Sequence, residues 1–239
     1  MNSITLNHEL FDAAIVDLDG TMVDTLGDFV AALNQMLAET LPGRWPAAGL
    51  DAATVERMVG KGSEHLVRST LKHVGAQMGS AQSAINLIAN FDAAFAAYQR
   101  HYTGINGRHS AVYPGVPEGL RTLQQAGLRL ACLTNKPLAF ALELLKLKGL
   151  DGFFTQVFGG DSFERKKPDP LPLLKTCECL GTSPARTLMI GDSSNDARAA
   201  RAAGCPVVLV TYGYNHGEPV RDVDADGFID SLAELHLQK

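Results

Sequence analysis

Two carboxylates one residue apart close an apolar run in Ala14-Ile15-Val16-Asp17-Leu18-Asp19-Gly20-Thr21. A short apolar run that ends in a turn signal reads as a buried strand. The carboxylates then sit where the strand runs out, which is where open α/β sheets bind ligands. Alternate strand residues point the same way. Asp17 and Asp19 can therefore face one small volume, and Gly20 lets the backbone turn sharply beside them. Carboxylates held that close repel each other unless a cation or a shared proton relieves them. The pair suits Mg2+, which takes oxygen ligands and works on phosphate substrates. The competing reading is an Asp-rich turn that caps the next helix.

The elements that must position this pair follow in order. Between residues 25 and 39, Leu26, Phe29, Val30, Leu33, Met36 and Leu37 form a helical stripe. Residues 40–50 hold two prolines and two glycines and read as a loop. Asp51 caps a short helix to about Met58, and Gly60-Lys61-Gly62 breaks the pattern. Ser63 opens a helix through Leu66, Val67, Leu71 and Val74. A longer helix starts at Ser80, with Ile85, Ile88, Phe91, Phe95, Tyr98 and Tyr102 on one face. Residues 23–104 therefore read as an all-helical insertion with no β-rich run.

After Tyr113 the pattern alternates. Strands are expected over residues 128–133, 155–158, 188–190 and 206–210, and helices over 117–127, 137–148, 170–180 and 196–203. Residues 228–237 read as a short strand and a closing helix. Such alternation implies an α/β fold, a doubly wound, mostly parallel sheet covered on both faces. The expected organisation is a core domain of residues 1–22 and 105–239, interrupted by a helical cap domain of residues 23–104. In a parallel sheet the strand ends bearing Asp17, Asp19, Thr134, Gly160-Asp161 and Asp192 lie along one edge.

Four segments on that edge agree with a known pattern. Asp17-Leu18-Asp19-Gly20-Thr21, Leu133-Thr134-Asn135-Lys136, Lys167-Pro168-Asp169-Pro170 and Gly191-Asp192-Ser193-Ser194-Asn195-Asp196 resemble, in order, the four motifs of the haloacid dehalogenase-like phosphatase superfamily. The resemblance covers essentially the whole chain and implies a Rossmann-like core. It implies that Asp17 is the nucleophile and Asp19 the general acid/base. It implies Mg2+ held by Asp17, Asp192 and the backbone carbonyl of Asp19. Thr134 and the Asn135 backbone amide would bind phosphoryl oxygens, with Thr21 as a further substrate contact. Lys167, rather than Lys166, would neutralise the remaining charge, and Asp196 would orient Lys167 or the outer shell of the metal. These residue types suit the chemistry, because phosphate monoesters are dianions and phosphoryl transfer depends on positioning and charge neutralisation.

The resemblance also brings the loop Gly60-Lys61-Gly62 into the site, where its glycines permit close approach to a ligand. Lys61 there is a candidate partner for a substrate carboxylate, with a solvated loop lysine as the alternative. Asp12 through Leu26, Val59-Gly60-Lys61-Gly62 and Val210-Thr211-Tyr212-Gly213-Tyr214-Asn215-His216-Gly217 further resemble the bacterial phosphoglycolate phosphatase family. That likeness implies hydrolysis of 2-phosphoglycolate to glycolate and phosphate. A pyrophosphatase, nucleotidase or sugar-phosphate phosphatase of similar layout is the alternative. A sugar-phosphate mutase or a non-catalytic binding module fits less well. The insertion shows no clear acid/base group of its own, and none of the motif carboxylates is missing.

Composition narrows the partners. The chain has 239 residues, enough for one domain and a smaller one, and a net charge of −5. That mildly acidic balance offers no electrostatic footprint for nucleic acid or an anionic membrane surface. No apolar run approaches the roughly 20 residues that span a bilayer. Met1 to Phe11 lack the basic start of a signal peptide. Cys132, Cys177, Cys179 and Cys205 show no zinc-site spacing and read as reduced thiols in a cytoplasmic protein. The expected partner is a small phosphorylated metabolite, and the expected assembly a monomer or homodimer.

Overall fold

Six short apolar runs form the central sheet of the computed structural model, which describes residues 4–7, 10–42, 49–78 and 88–238. The strands in chain order are Ile4–Asn7 (β1), Ala13–Val16 (β2), Val23–Asp24 (β3), Ala111–Val112 (β4), Arg129–Leu133 (β5), Gln156–Phe158 (β6), Thr187–Gly191 (β7), Val207–Val210 (β8), Gly227–Ile229 (β9) and Leu235–Gln238 (β10). The α-helices are Leu26–Thr40 (α1), Ala52–Glu56 (α2), Ser63–Gln77 (α3), Phe91–Ile105 (α4), Val116–Gln125 (α5), Leu138–Leu147 (α6), Leu171–Leu180 (α7) and Ser194–Ala203 (α8). No helix among the described residues is long and apolar enough to cross a membrane.

The sheet runs β6-β5-β2-β7-β8-β9, and every pairing in it is parallel. Strands covered on both faces need near-continuous apolar sequence, and β2, β7 and β8 are buried throughout. Alternation along each strand sends neighbours to opposite faces. Ala14, Val16 and Leu130 pack with Leu120 and Leu123 of α5 and Leu144 of α6. Ile15, Ala131 and Met189 pack with Leu173 of α7 and Ala199 and Ala200 of α8 on the other face. The chain leaves β2, returns at β5 on one side, continues to β6, then crosses to β7 on the other side of β2. Strand order reverses about β2, so its C-terminal end is the topological switch point where such sheets bind ligands.

Helices α1 to α4 bury a core of their own, built from Phe29, Leu33, Met36, Leu37, Val67, Leu71, Tyr98 and Tyr102. Of the stripe read from the sequence, Phe29, Leu33, Met36 and Leu37 are buried in α1, while Leu26 and Val30 are half-buried against the same core. Asp51 caps α2 by accepting the Thr54 N–H at 2.7 Å. The expected helix start at Ser80, with Ile85, lies outside the described residues. From Phe91 onward that helix is present as α4.

Two expectations need correction. The insertion carries a β-ribbon at its junctions, because β3 pairs antiparallel with β4. Two-residue strands are too short to show a period. Asp28 fastens the same junction by accepting the N–H groups of Gly107 at 2.8 Å and His109 at 2.6 Å. The closing helix is also absent: β9 leads to a single 3-10 turn, Leu232–Glu234, and then to β10, which pairs in parallel with β1. Its partner lies at the opposite end of the chain, so no local pattern announces it.

Leu33 is fully buried in the helical core. Leu33→Ala should lower unfolding free energy in urea by about 2–5 kcal/mol, and a loss well under about 1 kcal/mol would contradict this packing.

Candidate active site

The register of β2 carries Asp17 to the sheet edge, where its N–H still bonds Ile190 O at 2.9 Å. Asp17 Oδ1 accepts the Leu18 N–H at 2.7 Å and lies 3.0 Å from Lys167 Nζ. Lys167 Nζ also donates to Asp196 Oδ1 at 2.7 Å and to Leu133 O at 2.8 Å. An ammonium has three donors, so all of them are taken. Asn135 clamps the lysine backbone: its Oδ1 accepts the Lys167 N–H at 3.0 Å, and its Nδ2 donates to Lys167 O at 2.8 Å. Lys166, next door, is exposed.

Asp192 follows β7 and faces the same edge. Gly20 turns past it at φ 84°, and a Cβ there would lie 2.1 Å from Asp192 Oδ2. That oxygen accepts the Tyr214 N–H at 2.6 Å, while Thr21 Oγ1 lies 3.4 Å from Asp192 Oδ1. Asp196 sits in the first turn of α8, where Oδ2 accepts from Ser193 N–H at 3.2 Å and Ser193 Oγ at 2.8 Å. This is a capping box, and it explains the Ser-x-x-Asp spacing. Both oxygens of Asp196 are thereby committed, one to the cap and one to Lys167.

Carboxylate oxygens of Asp17, Asp192 and Asp196 lie within 4.8 Å of one another, and all three residues are buried. One ammonium therefore faces three carboxylates. Burial is the main cause that pushes the Asp17 carboxyl up, to about 7; the Lys167 charge opposes it and the Asp196 charge adds to it. Burial, then the charges of Asp196 and Asp17, hold Asp192 well above the usual carboxylate range. Burial works against the Lys167 charge as well, but Asp17 and Asp196 outweigh it and keep the ammonium protonated. An all-oxygen donor set with excess negative charge fits a hard divalent cation. With Asp196 committed, Asp17 and Asp192 are the side chains able to hold one. Asp19 does not join this cluster through its carboxylate.

The cavity above Asp17 is lined by Asp19, Thr134 and Asn135 from the sheet edge and by Gly60, Gly62 and Ser63 from the helical insertion. Gly60 O accepts from Asn135 Nδ2 at 3.0 Å and from Asn195 Nδ2 at 3.2 Å. The glycine turn is thus bonded to the segments that follow β5 and β7. Lys61 is exposed and is not among the residues lining this cavity. Nor is Thr21, which is buried against Asp192. Asp161 accepts the Leu138 N–H at 2.8 Å and so holds the start of α6.

Two residues in the site carry no role in the sequence reading. Tyr214 holds Asp192 through its backbone, and its hydroxyl accepts the N–H groups of Thr25 at 3.0 Å and Leu26 at 3.1 Å while donating to Asp24. Lys136 lines the cavity with its side chain 3% exposed, its Nζ 2.9 Å from Asp19 Oδ1. Its position two residues past Thr134, at the same strand end, was the available signal.

A parallel sheet with a carboxylate cluster at its switch point and a helical insertion after the first strand defines a class. The chain belongs to the haloacid dehalogenase-like hydrolase family, whose model matches residues 11–204. It is 44% identical over 225 residues to a phosphoglycolate phosphatase of Thiobacillus denitrificans, covering 94% of each chain. It is 43% identical over 222 residues to a phosphoglycolate phosphatase of Nitrosospira multiformis, covering 93% of this chain and 92% of the relative. Among solved structures, one from Haemophilus somnus 129PT, described as a predicted phosphoglycolate phosphatase, superposes with a TM-score of 0.85 at 30% identity, over 94% of this chain and 96% of that one.

Two outcomes test this geometry. Gly20→Ala drives a Cβ into Asp192 Oδ2 at a backbone angle that disfavours a side chain, so divalent-cation affinity should fall steeply while the fold persists by circular dichroism. Unchanged affinity would show that Asp192 is not a ligand. Asp17 and Asp192 are both held above the usual carboxylate range, so near pH 6 the cation-free pair shares a proton. Cation binding must release that proton, and affinity should weaken as pH falls through about 7. Calorimetric titration at pH 6 and pH 8 with equal affinities would contradict the assignment.

Proposed function

We propose that this chain is a Mg2+-dependent phosphate monoester hydrolase that acts on 2-phosphoglycolate. The observation that carries the reading is the Asp17 carboxylate, buried at the switch point and 3.0 Å from Lys167 Nζ, beneath a cavity closed by Gly60 and Gly62. The names of the two relatives described above, 44% and 43% identical, support the substrate. In this reading residues 1–22 and 105–239 are the core domain and residues 23–104 a cap. The protein works in the cytoplasm on a small phosphorylated metabolite, as a monomer or homodimer.

Asp17 attacks phosphorus, the bond from phosphorus to the ester oxygen breaks, and an aspartyl-phosphate forms. Asp19 gives its proton to the departing alkoxide. Its carboxylate then takes a proton from water as that water attacks the phosphorus, which frees Asp17 and inorganic phosphate. Thr134 and the Asn135 amide hold phosphoryl oxygens. Lys167 keeps Asp17 oriented and offsets its charge, and Asp196 fixes Lys167. Asp17, Asp192 and the Asp19 carbonyl would hold Mg2+, which when bound offsets charge on nucleophile and phosphoryl group alike. The backbone groups of Gly60 and Gly62 come close to the leaving group and exclude water.

EDTA should silence hydrolysis of 2-phosphoglycolate, and Mg2+ should restore it. Asp17→Asn should lower kcat by roughly 10⁴-fold or more, the scale of losing a covalent nucleophile. Asp19→Asn should lose about 10²–10⁴-fold, the contribution of proton transfer. Undiminished turnover after chelation, or an active Asp17→Asn variant, would end this reading.

A further inference from the structure

Lysine is almost never fully buried unless paired, yet both Lys136 and Lys167 are buried beside this cavity. Lys167 has every donor committed, to Asp17, Asp196 and Leu133 O. Lys136 does not. Its Nζ donates to Asp19 Oδ1 at 2.9 Å and to Tyr102 OH at 2.6 Å. An ammonium carries three donors, so one is uncommitted among the described contacts. The rings of Phe29 and Tyr102 lie 4.8 Å and 4.9 Å from Nζ. They stabilise the cation without using a donor.

We propose that Lys136 binds the carboxylate of the leaving group and so sets the substrate preference of this site. The proposal rests on the phosphoglycolate reading above. There Asp19 meets the ester oxygen, and in 2-phosphoglycolate a single CH2 separates that oxygen from the carboxylate. A cation that reads the carboxylate must therefore sit beside the side chain that protonates the ester oxygen. Lys136 touches that side chain. Lys61 is exposed and lies outside the cavity lining. Ser63, the first residue of α3, lines the same cavity, so the unpaired N–H groups of that first turn add donors for an anion. Tyr102 is a positioning residue, because its hydroxyl fixes the ammonium from α4.

The test compares 2-phosphoglycolate with ethyl phosphate, which has the same chain length and no carboxylate. Lys136→Met removes the cation and also leaves Asp19 without its partner, which slows both esters alike. The ratio of kcat/KM between the two esters removes that shared loss. It should fall by roughly 10–150-fold, the range for a hydrogen bond to a charged group. Inhibition by 3-phosphonopropionate, which cannot be hydrolysed, needs no proton from Asp19. Its Ki should rise by the same factor in Lys136→Met, while that of propylphosphonate changes little. Lys136→Gln, a neutral polar substitute, is measured alongside in case the methionine variant does not fold. A preference for 2-phosphoglycolate that survives in the variants overturns the assignment to Lys136 alone. A wild-type protein with no preference over ethyl phosphate overturns the phosphoglycolate reading, and this assignment with it.

Discussion

One buried ammonium organises the sheet edge. Lys167 Nζ lies 2.7 Å from Asp196, 3.0 Å from Asp17 and 2.8 Å from Leu133 O. Three separate segments must arrive correctly for those contacts to form. The end of β2 brings Asp17, the first turn of α8 brings Asp196, and the Asn135 clamp holds the lysine backbone. Breaking a buried ion pair leaves an uncompensated charge and costs about 3–5 kcal/mol, so the edge is correct as a unit or not at all. Even complete, it sets one ammonium against the carboxylates of Asp17, Asp192 and Asp196. That imbalance has to be offset before a phosphate dianion can approach, and it is the physical case for a divalent cation.

The same arrangement couples the edge to the helical insertion. Asn135 holds Lys167 with two hydrogen bonds and reaches Gly60 O with a third contact. Asn195, one residue before Asp196, donates to the same carbonyl. Tyr214 spans the other junction, with its N–H on Asp192 and its hydroxyl at the start of α1. Closing the glycine turn and ordering the carboxylates are therefore linked through shared side chains. Lys136 adds a further link, because its ammonium joins Tyr102 of α4 to Asp19 at the sheet edge.

Much of this was legible in the sequence because its causes are local. The apolar runs before Asp17, Thr134 and Asp192 mark buried parallel strands, and the helical stripes from Leu26 to Leu37 and from Ser63 to Val74 mark the insertion. The Lys-Pro-x-Pro spacing separates buried Lys167 from exposed Lys166. What escaped depends on partners far along the chain. The β1–β10 pair joins the two ends, and the β3–β4 ribbon is two residues long. Lys136 escaped for a different reason. A lysine after a strand end reads as solvated until Phe29 and Tyr102, brought from two other helices, enclose it. Lys61, flanked by glycines, is exposed and outside the cavity lining. That turn meets Asn135 and Asn195 through the Gly60 carbonyl, a backbone contact that side-chain types do not report.

A nucleophilic Asp17 must carry phosphate at some point during turnover. Rapid acid quenching of the Mg2+-loaded protein with 2-phosphoglycolate, followed by peptide mass mapping, addresses it most directly. Phosphate is expected on Asp17, released by hydroxylamine as an acyl phosphate is. Phosphate on any other residue, or steady turnover with no phosphorylated protein at any quench time, would contradict it.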